Sequence, residues 1–318
     1  MDWRKSAAPG LRIVVTVAML VWLSRHVDLS RLRTPPWQTT TLAWLSAALA
    51  VTFVAVMLSA LRWQRVLTAL SLAASMPTLI RHCLAGQFMG NFLPTTIGGD
   101  VLRVSRLSAT NGQMPRTVAS VILERLTGWL VLPLLTLFAL AANPGLRRVA
   151  PQPARLATWL AVITLATLAL LLVLAASPRF GGRLRSTGGW RRFTGAVHLG
   201  LDRVRRRPWL AFEILTVGFA YQLAVMLSAF LSAKALGLHL GWTAILAFFP
   251  VVAIVQVLPL TVGGLGTREA TLVFFLYPLG VAQVDAVALG LLVYLVNVGV
   301  SLLGAPAFVL GSRARAVA

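Results

Sequence analysis

Long runs of Leu, Ala and Val dominate the chain, and their lengths decide what it forms. Apolar runs with few charges fall at about 12–24, 41–61, 118–141, 156–176, 209–236 and 284–311. An α-helix needs about 20 apolar residues to cross a hydrocarbon core of roughly 30 Å, and several of these runs supply them. The short alternating segments of a β-barrel are absent from the sequence. Two further apolar stretches, about 78–93 and 242–258, run straight into polar turns. The pattern predicts an all-α polytopic integral membrane protein with about 6 full spans plus two re-entrant helical hairpins. One transmembrane domain, 1–318, is expected. Its first half, 1–176, carries a hairpin at 78–110, and its second half, 209–318, carries one at 242–281.

The two turns repeat each other. "LPTTIGGDVLR" at 93–103 and "LPLTVGGLGTR" at 258–268 align without a gap at an offset of 165 residues, sharing Leu, Pro, Thr, Gly-Gly and Arg. Backbone groups freed by Pro94, Gly98 and Gly99, or by Pro259, Gly263 and Gly264, are tolerated at membrane depth only inside protein or against a wet cavity. A helix restarting after Gly-Gly points its positive end and unpaired N–H groups at whatever occupies that cavity. The simpler reading is two helix breaks with no ligand.

Composition and charge refine this picture. A hydrophobic share of 58% with only 12% charged residues lies far from soluble globular usage. Arg4, Lys5 and Arg12 precede the first run as they would in a secretion signal. No small-residue cleavage site precedes Arg25 and His26, so an uncleaved span is expected. The net charge of +21 would suit nucleic acid, but nine arginines crowd into 179–207 against Asp202 alone. A segment joining two spans with that bias is a cytoplasmic loop, 177–208, by the positive-inside rule, aided by anionic headgroups. It lacks the aromatic interleaving of a single-strand binder, so no nucleic-acid partner is expected.

Counting outward from that loop puts Arg147, Arg148 and Arg155 outside and 62–117 inside, with both termini cytoplasmic. The first hairpin then dips from the cytoplasmic face and the second from the outer face. That is the inverted repeat of transporters whose broken helices meet at the midplane.

Charges within apolar segments are costly, roughly 2.5–3.5 kcal/mol each at the bilayer centre, so they tend to be paired or functional. Asp100 and Arg103 follow the first Gly-Gly on one helix face, and Arg268 and Glu269 follow the second. The acids suit helix N-termini, while the arginines suit a lipid phosphate. Glu124 and Arg125 are neighbours about 100° apart on a helix, so each is expected to reach its own partner in the hairpin. Asn91 and Gln256 correspond under the 165-residue offset and would satisfy broken-helix backbone or touch a headgroup. Arg62 and Trp63 read as an interfacial anchor, and Lys234, Glu213 and His82 as snorkelling groups near span ends. Cys83, the sole cysteine, has no partner for a disulfide or metal site and receives no role. No phosphate loop, metal cluster or nucleophile elbow is present, and no cofactor is expected.

"NFLPTTIGGDVLRVSRL", "VILERLTGWLVL" and "LPLTVGGLGTREATLVFFL" together resemble the lysylphosphatidylglycerol synthase transmembrane region. This is the flippase half of the multiple peptide resistance factors and of their stand-alone relatives. The resemblance implies a lipid-translocating membrane domain whose polar constellation falls on Asn91, Gly98, Gly99, Asp100, Arg103, Glu124, Arg125, Gly263, Gly264, Arg268 and Glu269. No soluble aminoacyl-transferase domain fits within the 318 residues, so lysyl transfer is not expected of the chain.

The leading expectation is a flippase-like transporter, not an enzyme. It would move a phospholipid or other envelope lipid with an anionic or zwitterionic headgroup across the bacterial inner membrane. Two alternatives stand beside it: an intramembrane lipid-modifying transferase with Asp100, Glu124 or Glu269 as base, and an accessory subunit of an envelope-lipid biosynthetic enzyme.

Overall fold

The computed structural model describes residues 38–92, 98–176, 208–257, 261 and 264–309. Among these no strand occurs, and the helices that build the bundle are α1 (Thr39–Ala69), α2 (Met76–Phe92), α3 (Gly98–Asn111), α4 (Met114–Ala142), α5 (Gly145–Val149), α6 (Pro151–Ala176), α7 (Pro208–Ala235), α8 (Trp242–Val257), α9 (Thr267–Leu276) and α10 (Gln283–Ser301). The chain is an all-α multi-pass membrane protein. Five helical segments are long and apolar enough to cross a membrane: Thr39–Ala69, Met114–Ala142, Pro151–Val173, Trp209–Ala235 and Gln283–Val309. They correspond to five of the six expected spans. The sixth, 12–24, lies outside the described residues, as does the basic segment 177–207.

Helix directions follow from cross-helix contacts. Thr52 hydrogen-bonds Ser228 at 2.7 Å and Arg65 pairs with Glu213 at 3.3 Å, so α1 and α7 run antiparallel. Small residues let them approach closely, as membrane helices require where lipid gives no hydrophobic drive. Ala48, Ala55, Ser228 and Ala229 are all buried. Call the end holding Ala69 the basal end, because α6 leads there into the arginine-rich 177–207. Leu70, Leu79, Leu107 and Ile214 share one buried cluster, placing the start of α2, the close of α3 and the start of α7 at that end. Leu140, Ala233, Leu240 and Leu276 share another cluster, and Asn143 donates to Thr243 at 2.9 Å. These put the start of α8 and the close of α9 at the opposite, apical end.

The hairpins α2–α3 and α8–α9 therefore approach each other from opposite ends of the bundle. The inverted arrangement expected from the repeat is present.

The paired turns use their matched glycines for different reasons. A Cβ at Gly99 would run into the Gly86 carbonyl, and one at Gly86 would come within 2.9 Å of the Gly99 oxygen. Gly99 thus permits backbone contact between the two arms of the first hairpin. Its counterpart Gly264 has φ +75°, a left-handed conformation that glycine takes without Cβ strain. Gly263 lies outside the described residues. At Gly304, in the 3-10 turn after α10, a Cβ would strike the backbone of Leu84, so the last span also needs a glycine to close on α2.

Candidate functional site

Between the hairpins lies a cavity of about 480 Å³, within the roughly 300–1,000 Å³ range of small-molecule sites. The first hairpin lines it with Gly86, Gln87, Gly90, Asn91, Gly99, Asp100 and Arg103, and the second with Phe249, Gln256, Gly264 and Arg268. Helices α1, α4, α7 and α10 complete the wall, contributing Thr52, Arg125, Tyr221, Tyr294 and Asn297 among others.

On its basal side the cavity meets a chain of buried charges. Glu124 is 2% exposed, and its Oε1 accepts from Arg62 Nε at 3.1 Å. Its other oxygen, Oε2, faces Arg103 Nη1 at 3.4 Å. Arg103 also lies 3.5 Å from Asp100 Oδ1, while the second oxygen of Asp100 pairs with Arg125. Asp100, Arg103, Glu124 and Arg125 are thus brought together, and Glu124 and Arg125 take separate partners as their spacing on a helix requires. The aromatic faces of Trp63 and Tyr221 sit 4.2 Å and 4.7 Å from the Arg103 and Arg62 guanidinium carbons, which supports the cations without adding negative charge.

Among the described residues, three guanidiniums (Arg62, Arg103, Arg125) meet two carboxylates (Asp100, Glu124) in this chain of ion pairs. Arg103 is 8% exposed, yet its Nε and Nη2 have no hydrogen-bond partner among the described residues. Buried donors of this kind are costly unless something accepts from them.

The apical hairpin carries a neutral pair. Arg268 Nε donates to Glu269 Oε1 at 2.9 Å, and Glu269 Oε2 accepts the Gly266 N–H at 2.7 Å. Glu269 therefore satisfies the start of α9, as an acid near a helix N-terminus should. Gly290 makes room for it, since a Cβ there would lie 3.2 Å from Glu269 Oε1. Arg268 also lies over the Tyr294 ring at 5.1 Å.

Asn91 reaches across to the last span among the described residues. Its amide donates to Ser301 Oγ at 2.9 Å, tying the first hairpin to α10. Gln256 packs against Gly264, where a Cβ would meet its Nε2 at 3.2 Å. Gly98 opens α3.

The reading of Arg62 and Trp63 as an interfacial anchor is wrong. Arg62 is 4% exposed and Trp63 fully buried, with Trp63 Nε1 donating to Ser120 at 2.9 Å. Helix α1 continues to Ala69 instead of ending near 61, which carries both residues into the bundle. Gly128 lies one helical turn beyond Glu124, so Arg62 fits there. The sequence reading also missed Tyr221, Tyr294, Gln87 and Asn297. An amide or phenol in an apolar run is the only signal they give, although Gln87 falls one turn before Asn91. Lys234 and Glu213 do sit near span ends, against Phe230 and Arg65 respectively.

A bundle of membrane-spanning helices in which two broken-helix hairpins meet from opposite ends at a charged cavity defines an inverted-repeat membrane protein with a central polar site. The family described as "Lysylphosphatidylglycerol synthase TM region" matches residues 10–304, and the chain belongs to it. Among curated proteins the comparison finds no match.

Proposed function

We propose that the protein translocates a lipid, carrying its anionic headgroup through the cavity between the hairpins while the acyl chains stay in the membrane. The carrying observation is the convergence of both hairpins on one cavity lined by Arg103, whose buried Nε and Nη2 have no partner among the described residues. Family membership supports lipid handling. With arginine-rich 177–207 cytoplasmic by the positive-inside rule, the basal end faces the cytoplasm of a bacterial inner membrane. The first hairpin then serves the inner leaflet and the second the outer.

Transport fits better than catalysis because Asp100, Glu124 and Glu269 are each held by a guanidinium. A general base must be free to take a proton. The test is reconstitution into vesicles with headgroup-labelled lipids. Wild-type protein should exchange label between leaflets, and Arg103→Ala and Arg268→Ala should each slow that exchange. Equal rates in empty and protein-containing vesicles would overturn transport, and a chemically altered lipid in the wild-type membranes would point to an enzyme.

A further inference from the structure

The first hairpin grips the last span at its basal end. After α10 the chain passes through the 3-10 turn Leu302–Gly304 into a further helical stretch, 305–309. Arg106, on α3, meets that stretch with both ends of its guanidinium. Nη1 donates to the Ala307 carbonyl and Nη2 to the Phe308 carbonyl, each at 2.8 Å. Two such charge-assisted bonds hold a planar fork in one orientation. Phe308 itself sits between the two arms of the hairpin. Its ring centroid lies 5.9 Å from that of Phe88 on α2 and 5.7 Å from the Arg106 guanidinium carbon.

Among the described residues, α3 lines the cavity with Gly99, Asp100 and Arg103, and Arg106 follows Arg103 by about one helical turn. What α3 presents to the cavity therefore depends on how the helix is held further along. Ion pairs tie Asp100 and Arg103 to α4, while Arg106 ties the same helix to the last span. The α2 arm is fastened to that span as well, by the Asn91–Ser301 bond and by the close approach of Gly304 to the Leu84 backbone. Because the two arms touch backbone to backbone at Gly86 and Gly99, a shift of one arm carries the other.

We infer that Arg106 is a positioning residue: it clasps the first hairpin to the end of the last span and thereby sets where Arg103 stands at the cavity. The clasp stands on these contacts alone, and its part in translocation rests on the transport reading. A lysine at this position keeps the charge but lacks the fork, and a glutamine lacks the charge. Cys83 supplies a native reporter. It is the sole cysteine, lies on α2 and is 6% exposed, so a bulky thiol reagent reaches it mainly when the hairpin opens.

The experiment follows maleimide labelling of Cys83 in the full-chain protein in mixed micelles. Arg106→Gln should speed labelling about tenfold, the factor that losing about 1.4 kcal/mol of closure gives, which is within reach of hydrogen bonds from a charged group. Arg106→Lys should fall between it and the wild type. Asn143→Ala removes a bond to Thr243 at the apical end and should leave the labelling rate unchanged, which a general loosening of the bundle would not. In vesicles, Arg106→Gln should slow leaflet exchange of labelled lipid, with part of the rate restored in Arg106→Lys. Labelling as slow in Arg106→Gln as in the wild type, or equally fast in Asn143→Ala, would overturn the clasp. Fast labelling with leaflet exchange at or above the wild-type rate would overturn the positioning role. Absence of exchange in the wild type sinks transport alone and leaves the labelling rates to decide the clasp. Should Arg106→Gln fail to fold, Phe308→Ala removes the ring held between the two arms and serves the same comparison.

Discussion

Gly128→Ala puts the charged chain to a quantitative test. Gly128 sits within α4, where replacing glycine by alanine ordinarily stabilises a helix by about 1 kcal/mol. Here the new methyl would lie 2.6 Å from Arg62 Nη1 and 3.1 Å from its Cζ. A long side chain could swing away at a surface, but Arg62 is 4% exposed. Its Cδ already faces Gly218, where a Cβ would come within 3.7 Å, and Tyr221 closes another side. The guanidinium can yield only by drawing back from Glu124. Breaking a buried ion pair by removing one partner costs about 3–5 kcal/mol. A partial displacement should cost somewhat less, so after subtracting the helix gain the net expectation is a loss of about 1–3 kcal/mol. Reversible unfolding of the purified protein in mixed micelles, followed by circular dichroism, measures this directly. On an Arg62→Met background the clash is gone, and the same glycine replacement should be neutral or slightly stabilising. Equal effects in both backgrounds, or a Gly128→Ala protein more stable than the wild type, would refute the placement of Arg62 against Gly128.

Other substitutions probe neighbouring parts of the same machinery. Glu124→Gln leaves Arg62 and Arg103 without their shared charge and should destabilise by about 3–5 kcal/mol in the same unfolding measurement. A change below 1 kcal/mol would mean the cluster is solvated. Gly264→Ala forces a side chain into φ +75° and against Gln256, at a cost of about 1–3 kcal/mol. Gln256→Ala in the same chain should recover the part due to contact and leave the part due to backbone.

Five of the six spans were legible because apolar length alone decides membrane crossing. The hairpins were legible because Pro and Gly-Gly interrupt an apolar run in a way lipid does not tolerate. The repeat then gave the opposed directions, which the contacts of Leu107 and Leu276 with opposite ends of the bundle bear out. Asp100, Arg103, Glu124 and Arg125 stood out because charge is scarce. What local pattern conceals is pairing across the bundle. Arg62 and Glu124 are 62 residues apart, and nothing near Arg62 distinguishes a buried cation from an interfacial one. Gln87 and Asn297 are 210 residues apart, and an isolated amide is silent until its partner is placed. Matched glycines misled in a different way. Gly99 and Gly264 occupy the same place in the repeat, yet one serves close packing and the other a left-handed turn.

The account depends most on two hairpins approaching from opposite faces of the membrane, and site-directed labelling tests that directly. Single cysteines replace Ser75, just before α2, and Gly241, just before α8, each exposed, in a Cys83→Ser chain. In sealed, uniformly oriented vesicles a membrane-impermeant maleimide should reach Ser75→Cys from one side only and Gly241→Cys from the other only. Labelling of both from the same side would contradict the inverted pair, and with it the shared cavity on which the transport reading stands.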